Sequence, residues 1–355
     1  MELRHLHCAI IIIFLLSFQY VYSGCPLIYQ MIDKYHSYCA KKISLSSLPP
    51  TLTEIEFILK VHNQERFDVN AQQMQKMYWN VDLAEIAQRY ADHCYFDHDK
   101  SIQRQAPRIP LSTGQNLAMG YKTWTLAIQG WANEKNDFVY GSDVQHGDVG
   151  HYTQMVKDTA ALIGCGLAIC PKGKLDPHND WPHYITSLGT SKILNFCFKI
   201  YSCVLLTYRQ LGDNKPYIPA SSSESKNERL YDCHGLVCLY NGIIDLNSCQ
   251  CQCESYTSGK QCEILDCSLL SNDCKYGNDK SLCTKYSNVP NECPKFCGLC
   301  SRYDEMKKYY NSLEILSNIG IQMIKSTQSI LLFRNISFHI VFIQLIIVHF
   351  VLSVD

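Results

Sequence analysis

Two histidines and one glutamate in the first half of the chain carry side chains that could do chemistry: His98, Glu134 and His151. Two imidazoles and a carboxylate can hold a divalent metal such as zinc, and they can also act as acid and base. A third interpretation is a hydrogen-bonded network that shapes a polar cleft. The sequence has no serine or cysteine nucleophile in a recognisable motif, which argues against hydrolysis.

The positions of these residues depend on the helices and strands that carry them. Thr53 and Glu56 form a capping-box pattern at the start of one helix. Apolar residues at i, i+3 and i+4 predict a second helix over 83–94, and a third covers 126–134. Residues 161–170 alternate in hydrophobicity and predict a strand. Helices mixed with strands in one core predict an α+β or layered fold.

The cysteine content indicates an oxidising compartment. The chain has 20 cysteines in 355 residues, and most of them lie in its second half, as in secreted proteins. An apolar run in residues 1–23 ends in small residues before Gly24, which predicts a signal peptide. Its removal would take Cys8 and leave an odd number of cysteines. A formal net charge of −1 without a basic patch argues against a nucleic-acid partner.

Composition divides the rest of the chain into segments. The apolar C-terminal segment is short for a membrane-spanning helix and favours a GPI signal, with plain secretion as the alternative. The Ser-rich segment is a flexible linker by composition. The predicted segments are an N-terminal extension (24–50), a main domain (51–219), the linker (220–229), two cysteine-rich modules (230–265 and 266–300), a stalk (301–334) and the hydrophobic tail (335–355).

An ordered set of motifs in residues 51–219 resembles the CAP family, which includes venom allergens, sperm-coating proteins and plant pathogenesis-related proteins. The resemblance covers about half of the chain and implies an α-β-α sandwich, a central sheet between helical layers, ahead of two small disulfide-rich modules. The motifs that carry it are His62-Asn63-x-x-Arg66, Gly114-Gln115-Asn116-Leu117, Trp131-x-x-Glu134, GHYTQMV from Gly150 and GCGLAIC from Gly164.

The resemblance also implies a cleft. The family lines it with two histidines and two acidic residues, which correspond here to His98, Gln115, Glu134 and His151. Gln115 stands where the family usually has glutamate, and an uncharged amide removes one hard ligand. The hydrogen-bonded cleft is therefore favoured over a zinc site formed by His98, Glu134 and His151.

Disulfides follow from the same resemblance. It pairs Cys94 with Cys165, and it pairs Cys170 with a cysteine near the last strand of the domain. An apparent insertion at 188–202 leaves the second pairing open. Two cysteines are candidates: Cys197 and Cys203.

Some CAP proteins bind sterols or fatty acids, and sterol binding is associated with an aromatic-rich loop ahead of the GHYTQ-type motif. In this chain the loop covers 137–149 and offers only Phe138 and Tyr140. These two rings are candidate lipid-binding residues. The alternative is that both are ordinary packing residues.

The two cysteine-rich modules each contain six cysteines. The first runs C-x4-C-x10-C-x-C-x-C-x8-C from Cys233 and resembles an EGF-like module. The second runs C-x6-C-x8-C-x9-C-x3-C-x2-C from Cys267 and resembles a ShK toxin-type domain. Some relatives of the second type block potassium channels with a Lys-Tyr pair, but Lys285-Tyr286 lies earlier than that pair would. A structural or adhesive role is therefore favoured for this module.

The leading functional hypothesis is a non-enzymatic extracellular protein. Its CAP domain would bind a protein or a lipid or sterol partner, and its cysteine-rich modules would dock or space it. The architecture resembles the venom-allergen-like proteins of parasitic worms, which implies a role at a host or tissue interface. Two alternatives stay open: a metal-dependent hydrolase that uses His98, Glu134 and His151, and an ion-channel modulator that acts through residues 267–300.

Overall fold

A computed structural model of the chain describes most of the main domain and both cysteine-rich modules. The expected signal peptide, the apolar tail and residues 188–197 of the apparent insertion lie outside the described residues, as does all but the first residue of the linker. No helix in the described part is long and apolar enough to cross a membrane. The described residues are 25–69, 71–109, 111, 113–171, 198–207, 214–220, 230–286 and 289–311.

Among the described residues, five α-helices belong to the extension and the main domain. The first of the long ones starts at a capping box, in which Thr51 and Glu54 exchange side-chain and backbone hydrogen bonds. The predicted pair Thr53 and Glu56 was therefore two residues late, because the sequence repeats the same spacing. The helices are α1 (Leu27–Ile32), α2 (Leu52–Asp68), α3 (Val81–His93), α4 (Trp124–Asn133) and α5 (Gly150–Met155).

Five strands form one sheet with the order β1-β4-β5-β3, and β2 also pairs with β4. The β2–β4 pair is parallel and the other pairs are antiparallel. β1 comes from the N-terminal extension, which is thus part of the sheet. The strands are β1 (Ser46–Ser47), β2 (Tyr78–Trp79), β3 (Thr113–Met119), β4 (Ala160–Cys170) and β5 (Phe198–Thr207).

Helices pack against both faces of β4. On one face two glycines let the backbone of α3 approach closely: a Cβ at Gly164 would lie 2.0 Å from the backbone nitrogen of Ala84. On the other face Ile163, Cys165 and Leu167 join a core built from α2, α4 and α5. The alternation predicted for this strand therefore separates two helical contacts.

The disulfides of the main domain correct the predicted pairing. Cys94 bonds to Cys170, and Cys165 bonds to Cys203. The register of the sheet explains this, because Cys165 lies directly opposite Cys203 with 4.1 Å between their Cα atoms. Cys94 follows α3 as its C-cap residue, and Cys170 is the last residue of β4. Their Cα atoms lie 5.6 Å apart. The expected Cys94–Cys165 bond is therefore wrong.

Each cysteine-rich module is closed by three disulfides of its own. In order, the first module pairs cysteines one with three, two with four and five with six, and the second pairs one with six, two with four and three with five. Among the described residues, no disulfide joins these modules to the main domain. Their elements are β6 (Ile243–Asp245), β7 (Gln250–Gln252), β8 (Thr257–Ser258), β9 (Ile264–Leu265), α6 (Leu282–Lys285) and α7 (Val289–Glu292).

The first cysteine-rich module docks on the main domain. Tyr231 donates its backbone N–H to Met74 and accepts one from Lys76. Asp232 accepts hydrogen bonds from the Lys76 ammonium (2.9 Å) and the Tyr78 hydroxyl. The polar linker therefore leads into a joint with defined contacts.

Candidate functional site

His98 and Gln115 form the first pair of the predicted cleft. The Nδ1 atom of His98 lies 2.7 Å from Oε1 of Gln115. Gln115 is 7% exposed and sits on β3, whereas His98 is exposed and belongs to a stretch between α3 and β3 with no helix or strand. An amide oxygen accepts hydrogen bonds only, so this contact places the imidazole proton on Nδ1.

Glu134 and His151 form the second pair. Oε1 of Glu134 lies 2.5 Å from Nδ1 of His151. Oε2 accepts the backbone N–H groups of His151 (2.9 Å) and Tyr152 (3.1 Å) at the start of α5. The N-cap residue Val149 has no side chain able to do this, so Glu134 caps the helix from outside it.

Neighbouring motif residues hold His151 in place. The ring of Trp131 stacks on it with 5.9 Å between centroids and 19° between planes. Asn116, next to Gln115 on β3, donates to the carbonyl of His151 at 3.0 Å. Trp131 in turn donates its indole N–H to Leu117. The motif residues of β3 and α4 thus fix the helix that carries the second histidine.

The contacts of the cleft side chains bear on the zinc site, the less favoured alternative for this cleft. Among the described residues, no group of three or more histidine, cysteine, aspartate or glutamate side chains is placed to hold a metal ion. Glu134 uses both oxygens on His151 and the start of α5, and His98 faces an amide. A zinc site formed by His98, Glu134 and His151 stays a prediction, and the hydrogen-bonded cleft remains the favoured interpretation.

The site also lacks a nucleophile contact. In the described part of the chain, neither imidazole is hydrogen-bonded to a serine, threonine or cysteine side chain. Because both Nδ1 atoms donate a hydrogen bond, the two Nε2 atoms are the ring nitrogens that can accept one. The chemistry available to the pair is therefore hydrogen bonding and proton acceptance by imidazole.

The two candidate lipid-binding rings pack against residues outside their loop. Phe138 makes an edge contact with Tyr152 at 5.6 Å between centroids, and it packs on the main core. The hydroxyl of Tyr140 donates to the carbonyl of Tyr217 at 2.6 Å. Burial raises the pKa of the Tyr140 hydroxyl. These contacts describe packing residues rather than an exposed aromatic surface.

A cavity of about 510 Å³ opens beside α5, and none of the four cleft residues lines it. Its walls come from the 137–149 loop, from α5 and its flanks, and from Asn214 and Pro216. Gln154 connects it with the cleft, because its amide lies against Gly114, the residue before Gln115. The cavity thus neighbours the cleft and differs from it.

The His62-Asn63-x-x-Arg66 motif has a structural role that its residue spacing alone does not predict. The buried guanidinium of Arg66 donates to four backbone carbonyls, two of which, Met155 and Lys157, flank the end of α5. Asn63 exchanges two hydrogen bonds with the backbone of Met77. The available signal in the sequence was the spacing of His62 and Arg66, which places both side chains on one face of a helix.

Comparisons with known proteins agree with the motifs. Residues 59–186 match the model of the cysteine-rich secretory protein family, CAP. A cysteine-rich venom protein of Conus textile is 32% identical over 293 residues, covering 78% of this chain and 90% of that protein. Human cysteine-rich secretory protein 3 is 37% identical over 142 residues, covering 38% of this chain and 57% of that protein. The structure of Schistosoma mansoni venom allergen-like protein 4 matches 49% of this chain and 100% of its own, at 23% identity and a TM-score of 0.36.

Proposed function

Since the chain belongs to the cysteine-rich secretory protein family, CAP, we propose that it is an extracellular protein that acts by binding a partner and not by turning over a substrate. Relatives named as secretory and venom proteins support the extracellular location. The disulfides support it too, because all 18 cysteines of the described residues are bonded in nine pairs.

The observation that carries the proposal is the use of the cleft side chains. The oxygens of Gln115 and Glu134 that contact the histidines are acceptors for their Nδ1–H groups. The second oxygen of Glu134 caps α5. The Glu134 carboxylate, the Gln115 amide oxygen and the two Nδ1–H groups therefore hold the fold of the cleft together, and the two Nε2 atoms are the ring nitrogens that can accept a bond from a partner.

The contacts favour a protein partner over a lipid. The rings of Phe138 and Tyr140, the two candidate lipid-binding residues, are engaged in packing. A sterol or fatty acid would need apolar surface to replace water. A lipid or sterol partner stays the alternative outcome of the experiment.

The finer architecture belongs to the same proposal. Helices on both faces of β4 support an α-β-α sandwich. Two separate sets of three disulfides support an EGF-like and a ShK toxin-type module that carry binding surface. The GPI signal expected at 335–355 is tested by treating expressing cells with phospholipase, which should release the protein.

Labelled secreted protein titrated onto intact cells tests the proposal. We expect saturable binding that is lost when the cells are first treated with trypsin. Reduced and alkylated protein is the control, since its modules are unfolded. Saturable binding of a fluorescent sterol or fatty acid by the purified protein, with no trypsin-sensitive cell binding, would replace the protein partner with a lipid.

An activity screen tests the non-enzymatic part. Panels of ester and peptide substrates are assayed with the wild-type chain and His98→Asn, each with and without a chelator. We expect no turnover that depends on His98 or on the chelator. Wild-type turnover that is abolished by the chelator and also by His98→Asn, with an unchanged thermal melt for the variant, would establish a metal-dependent hydrolase instead.

A further inference from the structure

We infer that the N-terminal segment 25–47 is a positioning element of the cleft, which holds His98 against Gln115. The inference rests on the geometry of the cleft and not on what the cleft binds. The sequence does not indicate such a role, because the segment lies before the family motifs and belongs to none of them.

His98 needs support from outside its own stretch of chain. Residues 95–100 form no helix or strand, and His98 is exposed. Its backbone N–H is bonded to the side chain of the preceding residue, Asp97. The contact with Gln115 is its hydrogen bond to the rest of the cleft. The flank before His98 is fixed to α3, because the Tyr90 hydroxyl donates to the carbonyl of Asp97. The position of His98 therefore depends on how the flank after it is held.

The flank after His98 is fixed to the strand that carries Gln115. The side chains of Asp99 and Arg104 form an ion pair, and they are 8% and 10% exposed. Arg104 also donates to the carbonyl of Thr113 at 3.0 Å, the first residue of β3. The backbone N–H of Thr113 bonds in turn to the hydroxyl of Ser101. The ion pair of Asp99 and Arg104, together with the bonds to Thr113, therefore fixes the stretch after His98 relative to β3.

The N-terminal segment grips the same stretch at two points. Ser37 donates its hydroxyl to Oδ2 of Asp99. The fully buried ring of His36 bonds through Nε2 to the carbonyl of Gln105 at 2.9 Å. Its Nδ1 accepts the backbone N–H of Tyr38. Two consecutive residues thus hold both ends of the 99–105 turn.

The segment is itself well anchored, so it can transmit position. A disulfide joins Cys25 to Cys39. The rings of Tyr29 and Tyr38 stack at 3.9 Å between centroids. Downstream, two serine hydroxyls of the segment donate to the buried carboxylate of Asp92 on α3, and β1 pairs with β4.

Ser37→Ala tests the inference with the loss of a single hydroxyl. The readout is the Nδ1–H signal of His98 in ¹⁵N-histidine spectra at pH 8. We expect its exchange with solvent to become at least about fivefold faster, as the bond to Gln115 opens more often. The Nδ1–H signal of His151 is the internal reference and should not change.

Tyr38→Phe is the matched control, because it removes a hydroxyl bonded to Glu85 from the same segment without touching the 99–105 turn. It should leave both histidine signals unchanged. A second variant, Cys25→Ser with Cys39→Ser, loosens the whole segment and should affect His98 more than Ser37→Ala does. If Ser37→Ala leaves His98 unchanged, or if it alters both histidines together with a lower melting temperature, the segment has no specific positioning role.

Discussion

At the scale of single residues, His62 shows how burial decides the state of an ionisable group. It is fully buried in α2, where its Nδ1 bonds to the carbonyl of Ile58 at 2.8 Å. Burial lowers the pKa of His62 to about 4, against the opposing effect of the Ile58 carbonyl and with a further contribution from Arg66. Burial also lowers the pKa of His36. Both rings are therefore neutral in the folded protein at physiological pH.

The protein should lose stability through His62 as the pH falls. Unfolded histidine binds its proton near pH 6.5, whereas the folded ring does so only near 4, so the unfolded state gains protons first. At about 1.4 kcal/mol per pKa unit, the loss between these values is about 3 kcal/mol. Urea unfolding of His62→Gln between pH 7 and 4 should show a shallower pH dependence than the wild type. The exposed His146→Gln is the control and should keep the wild-type slope; equal slopes for all three proteins would contradict the account.

The residues of the cleft could be predicted from the sequence, but their contacts could not. Each histidine bonds to a side chain 17 positions away: His98 to Gln115 and His151 to Glu134. Such contacts depend on how an irregular stretch and a short helix are placed, and periodicity holds no information on either. Motif matching therefore identified the four residues and left open whether they bind a metal or one another.

At the scale of elements, the long periodic ones were predictable and the short ones were not. The second and third predicted helices and the 161–170 strand are present as α3, α4 and β4, with ends shifted by one or two residues. β1 and β2 have two residues each, too few for any period. The predicted disulfide pairing was wrong for a related reason. Spacing along the chain does not fix which residues of β4 and β5 lie opposite each other.

Gly164 provides a test of the contact between α3 and the sheet. A Cβ there would lie 2.0 Å from the backbone of Ala84, which cannot move without shifting the helix. We expect Gly164→Ala to lower the free energy of unfolding by about 1–3 kcal/mol, the usual cost of overpacking. Thermal melts measure the change.

Gly150→Ala is the matched control, since a Cβ at that position has nothing within 4 Å. Its melting temperature should stay at or slightly above the wild-type value, because alanine restricts the unfolded chain. A Gly164→Ala protein as stable as the Gly150→Ala protein would show that α3 does not press on β4 as described.

At the scale of the whole molecule, residues just after the predicted linker form a joint, the set of contacts between the main domain and the first cysteine-rich module. Asp232 is bonded to Lys76 and Tyr78 across the boundary between the main domain and the first cysteine-rich module. Partial burial alone would raise the pKa of Asp232, but the hydrogen bonds from Tyr78 and Lys76 outweigh it and lower that pKa to about 2. The carboxylate is therefore ionised at any physiological pH, and the joint should not respond to mild acid.

Asp232→Ala should loosen this joint without unfolding either part. The carboxylate is 38% exposed, so the ion pair contributes about 1 kcal/mol or less. Hydrogen exchange at the backbone amides of Tyr231 and Lys76 should quicken by up to about fivefold. Asp245→Ala removes an exposed carboxylate whose bonds stay inside the module, and it should leave those two amides unchanged. Unchanged exchange in Asp232→Ala would mean that the side chain does not hold the joint.

Histidine ¹⁵N spectra of the secreted protein test whether the cleft consists of two separate hydrogen-bonded pairs. The account predicts that His98 and His151 both carry the proton on Nδ1. It further predicts that Gln115→Met perturbs only His98 and that Glu134→Gln perturbs only His151. Either substitution changing both imidazoles to a similar degree would contradict it, because the four side chains would then act as one site.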